Sequence, residues 1–535
     1  MMLNNIAKAA GLRLYCSIVW LAEFEGILML GLFGKKSDHP LADIKSAQAL
    51  LEGLPKNDAM KALQELTAWI ESAREQTEFR LDHQFAVLRL LDEAARPFER
   101  KLTRDYYAAT ALSPFQENRL WMVLNEFFAQ VLQAYLNVLL RYRNGDKGAA
   151  SITPLLPLLG ARGISAATGR LKSAAVRYAL IDQAIWASLA EFYAHAETQQ
   201  YLDQQVALYA GSAVKTSVRN EFAAVLIWHS SSSGALSRLH MHLAERLSAH
   251  LSRCFTVAAK REPNSRFFFD LQHPMSPMRL NAEITPQPGL RFLGVDNLQA
   301  QIDALLKTLE KNIVPDEINL GGSYEAEAVR AAALHLAECL TASPPARRNV
   351  RHNIKASLSV ANGFSGLIEK TSIGLDFGID NDLTWQVEDI SASGLRCVLP
   401  ASGTDGVEIG SLVGIKPEKQ ERWGVGIVRR IIRDPQNNRH VGIEMLANQV
   451  TGVGLRERDA DGERPALWLA SPGGDVREVD LLMDPDTFTG SRSLHVQLDG
   501  KSYLLIPLEL VEKGEDYDRA RYRKIEQDTD SDEGH

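Results

Sequence analysis

The chain is poor in cysteine. Its 535 residues include four, Cys16, Cys254, Cys339 and Cys397, all far apart. No two stand at a zinc-ligand spacing, and a disulfide framework needs denser cysteine. A reducing, cytoplasmic compartment is therefore expected. Long apolar runs are missing too. The nearest approach, 12–33, is interrupted by Arg13, Glu23 and Glu25, whereas a membrane helix needs about 18–20 apolar residues. No transmembrane segment is expected. A secretory signal fits poorly, because the two glutamates fall where its apolar core should continue. Met29 opens Met-Leu-Gly-Leu-Phe-Gly-Lys-Lys, which reads as a start. Residues 1–28 are then a mis-started or disordered extension, or else a short amphipathic helix packed on the body. An excess of positive charge is also lacking. Lys plus Arg is 59 against 67 Asp plus Glu, a net charge of −8. That balance argues against a surface made to grip DNA and leaves room for a local basic site.

Catalytic motifs are absent as well. The sequence has no glycine-rich phosphate loop, no nucleophile elbow and no paired-histidine zinc motif. His240 and His242 are two apart and share no helix face, so with His250 they make no metal site. Gly321-Gly322-Ser323-Tyr324 resembles the Gly-Gly turn of diguanylate cyclases but lacks the acidic residues that would hold a metal. A helix cap at Ser323 is the better reading. No catalytic residue, metal or cofactor is assigned, and the chain reads as a non-enzyme.

What is present is an ordinary globular composition, 45% hydrophobic and 24% charged, in two contrasting halves. Residues 39–150 and 168–342 read as helical, as one body or two. Leu81, Phe85, Leu88, Leu91 and Ala95 form one helical face, with a stop expected before Pro97. A second helix runs from Pro114 to Arg143 and ends at Asn144-Gly145. A loop is expected at Pro154 and Pro157, and five prolines break the pattern over 261–295. Asp296 and Ser323 are candidate caps for two further helices.

After Ser343-Pro344-Pro345 the pattern becomes β. Six runs are predicted over 345–450: 354–360, 383–390, 395–399, 411–415, 423–433 and 440–446. Many short strands with polar turns argue for a small barrel or sandwich. A further small β segment is expected over 451–515. Its clearest feature is Leu494, Val496 and Leu498, the hairpin turn Asp499-Gly500, then Tyr503 and Leu505. Residues 516–535 read as a charged tail with a disordered acidic end. The fold class is thus a predominantly α-helical N-terminal region followed by an all-β C-terminal part.

The junction carries the distinctive chemistry. Arg347, Arg348 and Arg351 cluster there, and no carboxylate occurs between Ala346 and Ile368. Arg-x-x-x-Arg alone means little, since it recurs elsewhere in this chain, as at Arg96/Arg100. Here it leads into a strand and is followed by Asp389-x-Ser391-x-x-Gly394 at a strand end, then by Trp423-Gly-Val-Gly and Val441-Gly-Ile-Glu. This ordered set resembles the PilZ domain, the bacterial receptor module for cyclic di-GMP, over about 345–450. The resemblance implies a six-stranded barrel with the arginines on the segment entering it. It assigns ligand binding to Arg347, Arg351, Asp389, Ser391 and Gly394, with Arg348 adding charge. Guanidinium groups fork onto phosphate oxygens or onto guanine O6 and N7, and stack on purines. Asp389 would accept from guanine N1–H and N2–H₂, Ser391 would offer a hydroxyl donor, and Gly394 a tight turn or close approach.

One departure from the family stands out. Arg351 and Asp389 are 38 positions apart, longer than is usual there. The extra length over 362–382 is expected to be a loop or added hairpin that covers the site or holds a partner. The overall expectation is a cyclic-di-GMP-binding effector in which ligand on the linker and barrel reorients a helical output region that docks a protein partner. The alternative is a nucleotide-independent scaffold with a degenerate barrel.

Overall fold

The computed structural model describes residues 39–108, 112–212, 214–232, 234–341, 349–371, 383–399, 407–418, 420–457, 462–470, 477–514 and 516–527. The expectations for residues 1–28, for Arg347 and Arg348, and for the last residues of the tail lie outside these. The chain divides into two compact units at Glu52/Gly53. The first contains helix α1 (Ile44–Glu52). The second contains everything that follows.

The second unit begins as a helical body: α2 (Ala59–Glu75), α3 (Leu81–Tyr107), α4 (Pro114–Arg143), α5 (Ala149–Ile152), α6 (Leu156–Ala175), α7 (Gln183–Thr198), α8 (Val218–Ser232) and α9 (Arg238–His250). The predicted stripe from Leu81 to Ala95 is fully buried. α4 begins at a capping box in which Ser113 and Gln116 satisfy each other's amides, with Pro114 in its first turn. It ends where predicted. Among the described residues α4 alone is long and apolar enough to cross a bilayer, and 56% of its most apolar window is buried inside the protein.

Two proline expectations fail. α3 continues through Pro97 to Tyr107. Interior proline costs about 3 kcal/mol. Beyond it Leu102, Tyr106 and Tyr107 are buried, and burial of each large side chain contributes about 1.5–3 kcal/mol. Pro154 and Pro157 mark no loop. They occupy the first turns of a 3₁₀ segment and of α6, where the missing N–H costs nothing.

The proline-rich stretch after α9 holds a small antiparallel sheet, β1 (Phe255–Ala258), β2 (Ser265–Asp270), β3 (Met278–Arg279) and β4 (Leu290–Val295), in the order β1-β4-β2-β3. Helices α10 (Leu298–Leu309) and α11 (Ala326–Leu340) complete the body. Neither predicted cap is used. Asp296 accepts from the Asn264 side chain, and α11 starts after Glu325 with no side-chain cap.

Then come β5 (His352–Asn362), α12 (Gly363–Thr371), β6 (Leu383–Ser391), β7 (Gly394–Leu399), β8 (Leu412–Pro417), β9 (Gly424–Arg433) and β10 (Arg439–Ala447). The six strands match the six predicted runs and close into a barrel, β10-β7-β6-β5-β8-β9. The described part of the extra length over 362–382 is α12, a helix rather than a loop or hairpin. It begins at the far end of β5 from Arg351. Eleven residues of strand separate them, about 35 Å at 3.3 Å per residue, so α12 does not cover the arginine site.

The expected small β segment is a second closed barrel: β11 (Val450–Glu457), β12 (Arg464–Leu469), β13 (Glu478–Met483), β14 (Leu494–Leu498), β15 (Lys501–Lys513) and β16 (Asp518–Gln527), ordered β11-β12-β13-β16-β15-β14. The β14–β15 turn is the predicted Asp499-Gly500, both at positive φ. The closing strand β16 comes from residues read as tail. Ala520 and Tyr522 are buried, while Arg519 and Arg521 turn out to grip Asp480. The charge pattern of a tail is here the outer face of a strand.

Along β8 and β9 alternate side chains serve different cores. Val413, Ile415, Val428 and Ile431 fill the first barrel. Leu412, Val425 and Ile427 instead join Phe364 and Leu367 of α12 and Leu467, Leu469 and Leu482 of the second barrel. The helical body also touches the first barrel. Tyr178, at φ 52° just beyond α6, packs on the barrel core. Arg433 Nε donates to the Arg177 carbonyl at 3.1 Å, and Ile431 N to that of Gly234 at 2.9 Å.

Candidate ligand-binding site

The site is built where β5 begins and the β6–β7 hairpin turns. Asp389 lies near the end of β6, directly after a ladder irregularity between Val387 and Asp389. β5 carries its own irregularity between Asn353 and Ala356, opposite the same place. Such bulges re-aim side chains next to sites. Arg351 stands one residue before β5, and its Nη1 donates to Asp389 Oδ1 at 2.8 Å. The carboxylate residue is 8% exposed, whereas the Arg351 side chain remains 39% exposed. Among the described residues one of its five guanidinium N–H groups is thus committed, which leaves four for a ligand.

Among the described residues two contacts hold the incoming segment on the hairpin. The second is Asn349 Nδ2 to Ser393 Oγ at 2.9 Å, with Ser393 O in turn accepting from Met445 N. Asn349 and Ser393 were not singled out from sequence. An Asn just inside the arginine cluster and a Ser inside the Asp-x-Ser-x-x-Gly stretch were the only available signals.

Ser391 and Gly394 face each other across the two-residue turn. The Ser391 hydroxyl donates to the Gly394 carbonyl at 3.0 Å. Its proton is spent inside the turn, so it offers a ligand lone pairs rather than the donor expected. Gly394 has no positive φ. It is needed for close approach: a Cβ there would sit 2.3 Å from the Ile443 carbonyl oxygen on β10. Four of the six predicted site residues, Arg351, Asp389, Ser391 and Gly394, are therefore together, and Arg347 and Arg348 lie outside the described residues.

Beside them, Arg396 Nε donates to Glu388 Oε2 at 2.6 Å, and His440 sits between Glu388 and Asp434. Arg396 thus has two nitrogens engaged, Nε by Glu388 and Nη2 by His440, whereas Arg351 is engaged through Nη1 alone among the described residues. The helical body meets this barrel elsewhere. β7 runs from Gly394 at the site to Leu399, which pairs with Arg439 and through it with Arg433. Five residue steps at 3.3 Å put the two ends about 17 Å apart. His242 is buried, with Nδ1 2.7 Å from Lys172 Nζ.

The family model described as "Cyclic-di-GMP receptor FimW, N-terminal domain" matches residues 45–261. The match covers the helices from α1 to α9 and β1, and stops short of both barrels. No curated protein matches the chain.

Proposed function

We propose that the chain is a cyclic-di-GMP-binding signalling effector whose first barrel is a PilZ-type receptor module. The observation that carries the reading is the Arg351–Asp389 ion pair. It unites two motifs 38 positions apart at one end of a closed six-stranded barrel. The similarity of residues 45–261 to a domain described as part of a cyclic-di-GMP receptor supports the same ligand independently.

In this reading Arg347, Arg348 and Arg351 fork onto phosphate oxygens or guanine edges. Asp389 aims Arg351 and presents its remaining lone pairs to guanine N1–H and N2–H₂. Ser391 accepts, and Gly394 keeps the hairpin against β10. The protein acts in the cytoplasm as a receptor rather than an enzyme, and the helical region holds a protein partner. Ligand on the segment between α11 and β5 changes the set of the helical body on the barrel, with the Tyr178 contact as the part that yields.

Calorimetric titration of the full chain tests binding. Saturable association at micromolar Kd or tighter, about −8 kcal/mol, lost in Arg347→Ala/Arg351→Ala, is expected. A flat titration of folded protein makes the barrel a scaffold. Solution scattering with and without ligand tests the coupling: an unchanged profile at saturation overturns it.

A further inference from the structure

A cavity of about 370 Å³ opens in the helical body between the middle of α3 and the turn at residues 209–212. Its wall includes Glu93, Arg96, Pro97, Arg100, Tyr209 and Ser212. We infer that this cavity binds an oxyanion, a phosphoryl or carboxylate group of a small ligand, between Arg96 and Arg100.

The geometry leaves donors unspent. Arg96 lies over the Tyr209 ring, 4.2 Å from its centroid, and gives Nη1 to Glu99 at 2.8 Å. Its Nε is buried without a hydrogen-bond partner among the described residues. Arg100, one turn further along α3, is exposed and makes no hydrogen bond or ion pair with any described residue. Pro97 lies between them. An oxyanion accepting from Arg100 and from the Arg96 guanidinium would bring an opposite charge to Arg100. The Ser212 hydroxyl adds a donor of the right kind on the opposite wall.

Ion pairing around the cavity leaves Arg100 over. Arg162 shares the Tyr209 ring at 4.6 Å and is held by Glu93, with Asp92 3.6 Å away. Three guanidinium groups therefore face Glu93, Glu99 and Asp92. Burial pushes the Asp92 carboxyl up, against the pull of Arg162, and Tyr135 donates to it at 2.5 Å. The Arg100 charge is itself disfavoured, first by burial and then by the neighbouring Arg96 and Arg246 cations. Glu93 is engaged by Arg162 and Glu99 by Arg96, which leaves Arg100 as the lining cation with no ion pair among the described residues. A phosphate group occupies a small part of this volume and leaves space for the remainder of its ligand.

The site is independent of the barrel, and the experiment separates the two. Thermal shift of the full chain is followed during titration with inorganic phosphate, and separately with acetate, at constant ionic strength set by chloride. Wild type and Arg351→Ala should both saturate with phosphate at a millimolar or lower midpoint. Arg100→Ala, an exposed change that leaves the core intact, should raise that midpoint at least tenfold, and Arg100→Lys should raise it less. Saturation by phosphate alone assigns a phosphoryl ligand; saturation by acetate as well assigns the wider carboxylate-accepting class. No saturable response, or one unchanged in Arg100→Ala, overturns the inference. So does a response lost in Arg351→Ala, which would place the anion at the barrel.

Discussion

At the scale of single residues, two substitutions separate the roles of the barrel site. Arg351→Ala leaves Asp389 buried without its partner. The pair is partly exposed, so the stability loss should be modest, about 1 kcal/mol, while affinity for cyclic di-GMP should fall at least tenfold in calorimetry. A variant that binds like wild type would remove Arg351 from the site. Gly394→Ala tests the opposite balance. Its Cβ would press on the Ile443 backbone, which cannot swing aside like a side-chain tip. A cost of about 1–3 kcal/mol in urea unfolding is expected, with weakened binding as a consequence. The turn that carries Asp389, Ser391 and Gly394 was legible in the sequence because motif spacing is local. The spent Ser391 proton was not, since hydroxyl direction depends on the turn that forms around it.

At the scale of elements, α12 and Tyr178 join the parts. Leu367 on α12 is completely buried between the two barrels. Leu367→Ala should cost about 2–5 kcal/mol, read as a shift of the urea midpoint. A shift under 1 kcal/mol would mean that the barrels do not depend on this core. Tyr178 holds a positive φ that costs a non-glycine residue about 1–2 kcal/mol, and packing on the barrel offsets it. Tyr178→Ala should split a single calorimetric transition into two, one for the helical body and one for the barrels. An unaltered single transition would show that the contact carries no coupling. Neither element was foreseen. α12 fell in a glycine-containing stretch whose apolar residues are explained only by the second barrel, and Tyr178 lay within the stretch 168–342 that reads as helical.

At the scale of the whole molecule, buried titratable groups set the response to pH. Burial lowers the His229 imidazole, packed edge-on against Trp186, to about 4. Burial, then the Lys172 ammonium, holds His242 well below its ordinary value. Burial alone would raise Glu245, but Lys172 and Arg246 more than offset it and bring the carboxyl to about 2. All three are lowered, so the unfolded chain binds more protons as pH falls, and the stability they confer is lost downwards. The histidine contribution should fade from pH 6.5 towards 4 and the Glu245 contribution from 4.5 towards 2. Urea midpoints measured from pH 7.5 to 4 should fall, and His229→Gln should flatten the slope. A flat profile in the wild type would contradict this.

The sequence by itself determined what nearest neighbours along the chain decide. Apolar spacing and the Asn144-Gly145 stop set α4, period-two runs set the strands of the first barrel, and Asp499-Gly500 set the β14–β15 hairpin. These depend on backbone preference and side-chain period, both readable within a few residues. Tertiary structure alone decided that α3 outlasts Pro97, that β16 is drawn from a charged tail to close a second barrel, and that Arg351 meets Asp389. In each case a local cost is repaid by surfaces far away in sequence: side chains beyond the proline, the Asp480 carboxylate between two arginines, a hairpin 38 positions downstream. Burial is a property of the assembled fold, and no window of the chain contains both partners.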